Sequence, residues 1–262
     1  MTRPLRTNSG TGIYHVMLRG INKQIIFESP LDYGKFLNLL YQMVYPIDES
    51  RKPMPPKCII YAYCLMPNHV HLLIQEKNQN LSNIIKQIAA AYALYFNKKY
   101  ERCGHLFQDR FKSESVADAA YFFTLLRYIH QNPVAGGLCE KVDDYEWSSW
   151  REYIGISLKR PAICCVSAVL RRMPLEELAG LVNDPLPKTV RILDFDKSKY
   201  TVTDQDVSDF IINNYGLHQP SDLQLYDKVR RNDILKSARD FGASIRQLAR
   251  LTGISVGIIR NI

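Results

Sequence analysis

The chain has 262 residues, 46% of them hydrophobic and 23% charged, enough apolar material for one large domain or a main domain with a smaller one. No apolar run reaches membrane-spanning length, no secretory signal pattern is present, and the six cysteines show no C-x-x-C spacing. These features argue against a membrane span and a structural zinc site, and a cytoplasmic protein with reduced, buried thiols is expected. A formal charge of +8 and a pI near 9.1 favour a polyanionic partner. Residues 1–160 carry 20 Lys and Arg against 14 Asp and Glu, a balance of +6, whereas residues 201–262 carry 8 against 7, which places the expected basic surface in the first part.

After a polar arm with Arg3 and Arg6, Ile13–Arg19 reads as a strand ending at Gly20, with Asn22-Lys23 as a turn beyond it. Asp32–Tyr45 carries Phe36, Leu39, Leu40 and Met43 at helical spacing. Pro46, Pro53, Pro55 and Pro56 make the next stretch a connection to a strand over Cys58–Leu65, which Met66-Pro67-Asn68 links tightly to another strand. Leu81–Tyr100 is predicted as a long helix with Ile84, Ile85, Ile88 and Tyr92 on a buried stripe. A strand over His105–Ser113 would set Phe107 and Phe111 on one face and Gln108, Arg110 and Lys112 on the other, a cationic surface suited to phosphates. Ala117–Gln131 is helical again, ended by Asn132-Pro133.

This order predicts an α+β, ferredoxin-like domain over residues 1–155: a mostly antiparallel sheet with helices on one face and the other face left for a ligand. Trp147–Ile154 would close it, followed by a helical connector over 156–200. Residues 201–262 form a small all-α module in which Leu235–Phe241, Ile245–Leu251 and Val256–Ile262 read as helices. Ala249, Gly253 and Ile259 stand where a helix-turn-helix needs a small residue, a turn residue and a buried apolar residue.

The most informative stretch is Tyr63–Gln75, YCLMPNHVHLLIQ. Its period-two alternation sends His69 and His71 out of one strand face, where two neutral imidazoles can share a divalent ion. Solvated histidines on a polar strand face are the plain alternative. The helix before Asn132-Pro133 offers Tyr128 and Asn132 at i and i+4, one able to attack and the other to bind metal. A protonated tyrosyl oxygen is a poor nucleophile, and Tyr121, on the same helical face, competes for that role.

Five blocks in this order, YHVMLRGINKQIIF (14–27), YCLMPNHVHLLIQ (63–75), GHLFQDRFKSE (104–114), RYIHQNPVAGGL (127–138) and YEWSSWREYIG (145–155), resemble the single-tyrosine HUH transposases, specifically the REP-associated tyrosine transposases. The resemblance implies a nuclease that cuts and rejoins single-stranded DNA beside a hairpin formed by a REP-like palindrome, through a 5′-phosphotyrosine. It implies Tyr128 as nucleophile, and His69, His71 and Asn132 as ligands of Mg²⁺ or Mn²⁺. The candidate DNA contacts are Arg19, Lys23, Gln108, Arg110, Lys112, Arg246 and Arg260, in a monomer or homodimer with no membrane attachment. The tail SIRQLARLTGISVGIIRNI resembles the DnaA-like helix-turn-helix carried by some members. Two other readings are an HUH replication initiator or plasmid relaxase, and a DNA-binding regulator whose nuclease fold has lost activity.

Overall fold

The computed structural model describes residues 9–108, 110–156, 160–187, 192–193 and 202–262, so the arm carrying Arg3 and Arg6 lies outside it. Contacts divide the chain into two compact units, one of residues Met1–Ile26 with Leu31–Ser198, the other of Phe27–Pro30 with Lys199–Ile262.

In the first unit, β1 (Ile13–Arg19), β2 (Cys58–Met66), β3 (His69–Glu76) and β4 (Lys112–Ser115) form a sheet in the order β2-β3-β1-β4, every neighbour antiparallel. Helices α1 (Pro30–Val44) and α2 (Leu81–Lys99) supply the two crossovers of the ferredoxin-like arrangement. All of β1 and the first six residues of β3 are buried, so both faces of the central strands are covered. The histidine face expected to lie open is therefore closed. A third helix, α3 (Ala119–Ala135), packs against β2 and β3 and covers it.

Two corrections concern local chemistry. The strand expected over His105–Ser113 is confined to Lys112–Ser115. Upstream, pairing reduces to a single bridge, Gly20 to Phe107, with Gln108 N donating to Arg19 O at 2.7 Å. β1 itself runs on to Arg19, but the three steps from Met17 to Gly20 face five steps from Lys112 to Phe107, so the register cannot continue between the two pairs. Past Gly20 the chain turns at Ile21–Lys23, where Asn22 and Lys23 have φ of 53° and 61°. Gly20 begins that turn, and a Cβ there would collide with Gln24 O and Ile26. The helix expected to stop before Asn132-Pro133 instead runs to Ala135. Pro133 falls in the last turn, where its missing N–H forgoes the bond to Ile129 O, yet Gly136 N continues the ladder to Asn132 O at 2.9 Å. At the other end the Asp118 side chain caps α3 by accepting from Tyr121 N at 2.7 Å.

The stretch after α3 adds to the edge of β2. Leu65 N donates to Trp147 O at 2.9 Å and Ser149 N to Tyr63 O at 2.9 Å, and α4 (Trp150–Tyr153) follows. Ser149 Oγ also lies 2.7 Å from His130 Nε2 on α3, tying that helix to this edge. Two further helices, α5 (Val166–Leu170) and α6 (Leu175–Asn183), occupy the connector. Arg127 reaches the end of α6 from α3, donating to Asp184 O and Oδ2 at 2.8 Å each and to Pro185 O at 2.6 Å. Gln131 Nε2 donates to Val182 O at 2.7 Å. The orphan carbonyls at the end of α6 are thus satisfied by α3. The cysteines are all free; Cys58, Cys64 and Cys164 are buried, Cys165 and Cys139 partly so, and Cys103 is exposed.

The second unit contains α7 (Asp204–Tyr215), α8 (Lys228–Phe241), α9 (Ile245–Thr252) and α10 (Val256–Arg260) around a core that includes Val207, Ile211, Leu235, Leu248 and Ile259. Ser244 and Gln247 form a capping box at α9, and Ser255 caps α10 by accepting from Ile258 N. Between them Gly253 takes φ +71°, the left-handed conformation that the turn requires. Arg250 pairs with Glu28 at 3.0 Å, and burial pushes the Glu28 carboxyl up to about 8.

Two outcomes follow from α3's attachments. Burial lowers the His130 pKa from 6.5 to about 3, so as pH falls below 6.5 the unfolded chain takes up a proton that the folded one refuses. The stability lost by pH 5 is about 2 kcal/mol for this residue. His130→Gln should therefore show a smaller drop in melting temperature between pH 7 and pH 5 than the wild type; an equal drop would remove His130 as a source. Arg127→Ala, which deletes the hydrogen bonds to Asp184 and Pro185, should cost about 1–3 kcal/mol, read as a melting shift of several degrees.

Candidate active site

Antiparallel pairing aligns β1 and β3 so that Arg19 faces His69, Met17 faces His71 and His15 faces Leu73. Opposed residues share a sheet face, so His15, His69, His71 and Arg19 all project toward α3. The imidazoles of His69 and His71 stand edge to face with centroids 4.9 Å apart. The ring of Tyr128 meets them from α3, its centroid 5.5 Å from that of His71 and 6.0 Å from that of His15. One helical turn on, Asn132 is buried and its side chain hydrogen-bonds to His69. Its amide also donates back to Tyr128 O at 3.2 Å. The four residues singled out by strand parity and helical spacing therefore converge within one chain.

Each histidine is held at Nδ1. His69 Nδ1 lies 2.6 Å from Asn68 Oδ1, whose amide Nδ2 is fixed by donating to Lys23 O at 3.2 Å. His71 Nδ1 lies 3.0 Å from His15 Nε2. Burial is the leading cause that lowers the His69 pKa to about 3, helped by the positive field of Arg19, and it lowers that of His15 to about 3 as well. His71, fully buried beside the other two, is depressed further by burial first and by those neighbours second. All three are neutral at physiological pH, the form in which an imidazole nitrogen can bind metal.

Two imidazole nitrogens and an amide oxygen fit a small divalent cation of intermediate to hard character. His71 Nε2 is buried with no hydrogen-bond partner among the described residues, as expected of an atom kept for another ligand. No group of three or more His, Cys, Asp and Glu among the described residues could hold a metal; the side chain next to the His69–His71 pair is the amide of Asn132.

Tyr121, the competing tyrosine, is engaged elsewhere. Its hydroxyl donates to Glu114 Oε2 on β4 at 2.6 Å, and burial with that carboxylate pushes its pKa up. The expected DNA contacts are scattered: Arg19 is buried beside His69, Lys23, Gln108 and Arg110 are exposed in the turns at this end of β1, and Lys112 begins β4. Gln108 and Arg110 thus do not stand on a strand face with Lys112. Arg246 and Arg260 are exposed on α9 and α10. Sequence reading missed His15 and Asn68; their signals were a histidine in the first strand with the parity of Arg19, and the asparagine immediately before His69.

Residues 11–132 match the family model described as "Transposase IS200 like", a span that runs from the start of β1 to Asn132. A Haemophilus influenzae protein named as a REP-associated tyrosine transposase is 31% identical over 121 residues, covering 40% of this chain and 68% of that protein. A solved structure of a REP-associated tyrosine transposase bound to a REP hairpin aligns over 62% of this chain and 90% of its own, with 17% identity and a TM-score of 0.46. The chain belongs to the IS200-like transposases and is similar to their REP-associated tyrosine members.

Proposed function

We propose that this transposase is a metal-dependent single-stranded DNA endonuclease and strand transferase of the HUH type, with Tyr128 as nucleophile. The observation that carries the reading is the placement of the Tyr128 ring against His71, with Asn132 bonded to His69, all in one chain. Tyr128 Oη would attack the phosphorus of a phosphodiester; the new O–P bond replaces the bond to the 3′ oxygen, which leaves as a free 3′-hydroxyl after taking up a proton. The 5′-phosphotyrosine conserves the phosphodiester energy, and attack by a 3′-hydroxyl reverses the step without ATP.

His69, His71 and Asn132 would hold Mg²⁺ or Mn²⁺ at the sheet face. When bound, such an ion supplies Lewis-acid polarisation of the phosphoryl oxygens. Burial keeps both histidines neutral and ready to ligate, and α3 places Tyr128 beside them. Arg19 contributes a fixed positive charge next to His69, suited to a phosphate entering there.

The substrate we propose is a DNA hairpin of the REP-like palindrome type with an adjoining single strand. Arg19, Lys23, Gln108, Arg110 and Lys112 would contact the backbone on the nuclease domain, residues 1–155. Arg246 and Arg260 would do so on the module of residues 201–262, linked by the connector of 156–200. The protein would work in the cytoplasm, using its own Tyr128. No helix among the described residues is long and apolar enough to cross a membrane.

A nicking assay on single-stranded hairpin substrates with Mg²⁺ or Mn²⁺ tests this. Tyr128→Phe should abolish covalent DNA attachment while hairpin binding and fold persist, because one oxygen is removed; Tyr121→Phe should remain active. An adduct mapped by peptide sequencing to Tyr121 would refute the assignment. Asn132→Ala should weaken Mn²⁺ binding by at least the roughly 10- to 100-fold typical of losing an outer-shell partner. Unchanged Mn²⁺ affinity and cleavage would take Asn132 out of the site.

A further inference from the structure

His15 is fully buried on β1, diagonal to His71 across the β1–β3 pair. Its Nε2 lies 3.0 Å from His71 Nδ1, with the two rings 15° from parallel. Two ring nitrogens facing each other at this distance hold one hydrogen between them, since two lone pairs or two N–H groups would repel. The ring that supplies that hydrogen decides what His71 presents at its far nitrogen. If His71 donates from Nδ1, its Nε2 keeps a lone pair; if His15 donates, His71 Nε2 carries a hydrogen and cannot ligate.

The protein alone leaves this choice balanced. His71 Nε2 and His15 Nδ1 are both buried without a hydrogen-bond partner among the described residues, so either assignment leaves two unsatisfied atoms. A cation at His71 Nε2 breaks the balance, because it satisfies one of the two only when that nitrogen has a lone pair. His69 has a simpler arrangement, for the Asn68 oxygen can only accept and so fixes the hydrogen on His69 Nδ1.

We propose that His15 is a positioning residue: its Nε2 accepts the Nδ1–H of His71 and holds His71 in the tautomer whose Nε2 binds metal. The proposal rests on the metal reading given above. It makes His15 the outer partner of one ligand, as Asn68 is of the other, and such partners raise ligand basicity and fix ring orientation. Because the acceptor is an imidazole rather than an amide, it can return the hydrogen, and His71 is committed only while its Nε2 is engaged.

The test uses the full chain. Long-range ¹H–¹⁵N correlation on histidine-labelled protein in Mg²⁺ should show His71 protonated at Nδ1, and Mn²⁺ titration by electron paramagnetic resonance gives affinity. His15→Phe, which fills the space without accepting, should weaken Mn²⁺ binding about 10- to 100-fold and leave metal-free hairpin binding intact. His15→Gln, whose amide oxygen can accept, should restore most of it. A hydrogen on Nε2 of His71 in the Mg²⁺ form, or native Mn²⁺ affinity in a folded His15→Phe, overturns the proposal. If His71→Ala binds Mn²⁺ as tightly as the wild type, the metal reading falls and this proposal falls with it. If His71→Ala loses the ion and His15→Phe does not, the site stands and only the role of His15 is refuted. Should His15→Phe fail to fold, the His71 tautomer in the native protein decides the matter.

Discussion

The register between β1 and β3 is the constraint on which the rest depends. It sets Arg19 opposite His69 and Met17 opposite His71, and brings His15 within hydrogen-bonding reach of the latter. A slip of one residue would turn β1's side chains to the other face and put Val16 and Leu18 against the histidines. What pins the register is local and precedes any ligand. Gly20 N donates to Asn68 O at 2.9 Å and Ile26 N to Pro67 O at 2.8 Å, so the turn after β1 grips the turn before β3. The same two turns orient Asn68, which holds His69. The site is therefore built on the two central strands of the sheet.

The second determinant is dryness. A histidine pair on an exposed strand would titrate near pH 6.5 and spend part of its time as a cation. Here α3 covers the pair, and burial is the main cause that keeps His15, His69 and His71 neutral. The covering helix is itself held from two sides, by Ser149 against His130 at the β2 edge and by Arg127 and Gln131 against the end of α6. Arg127 and Gln131 immediately precede Tyr128 and Asn132, so the residues that fasten the helix alternate with those that face the histidines. The connector after residue 160 consequently takes part in placing α3.

Much of this could be read in the sequence wherever periodicity and parity carried the information. Ile13–Arg19 matches β1 to the residue, Leu81–Lys99 matches the expected helix to within one residue, and the shared face of His69 and His71 follows from period two. Three features could not be read that way. Gln108, Arg110 and Lys112 alternate as a strand would, but the ladder to β1 stops at Lys112 opposite Met17 and returns only as the single Gly20–Phe107 bridge, a mismatch in register that the alternation does not carry. The helix α7 carries only Val207 and Ile211 as buried residues, too few to stand out among DQDVSDFIINNY. The closure of the histidine face and the His15 contact are relations between elements, which depend on a register that no single segment encodes.

The separation of charge from the reacting groups gives the site a physical logic under the proposed function. Exposed cations at Lys23 and Arg110 add attraction to any phosphate backbone, and that attraction is long-ranged, screened by salt and indifferent to sequence. The groups that would handle the scissile phosphate are neutral imidazoles, an amide and a phenol in a buried setting, where an added cation would be only weakly screened. Placing cationic side chains in that interior would raise affinity for every phosphate alike and compete with a metal for the same oxygens. Keeping them at the turns lets binding strength vary with the surface while the buried constellation remains fixed by β1, β3 and α3. Arg19 is the exception, buried and adjacent to His69, and its field accordingly acts on a ligand as well as on an incoming phosphate.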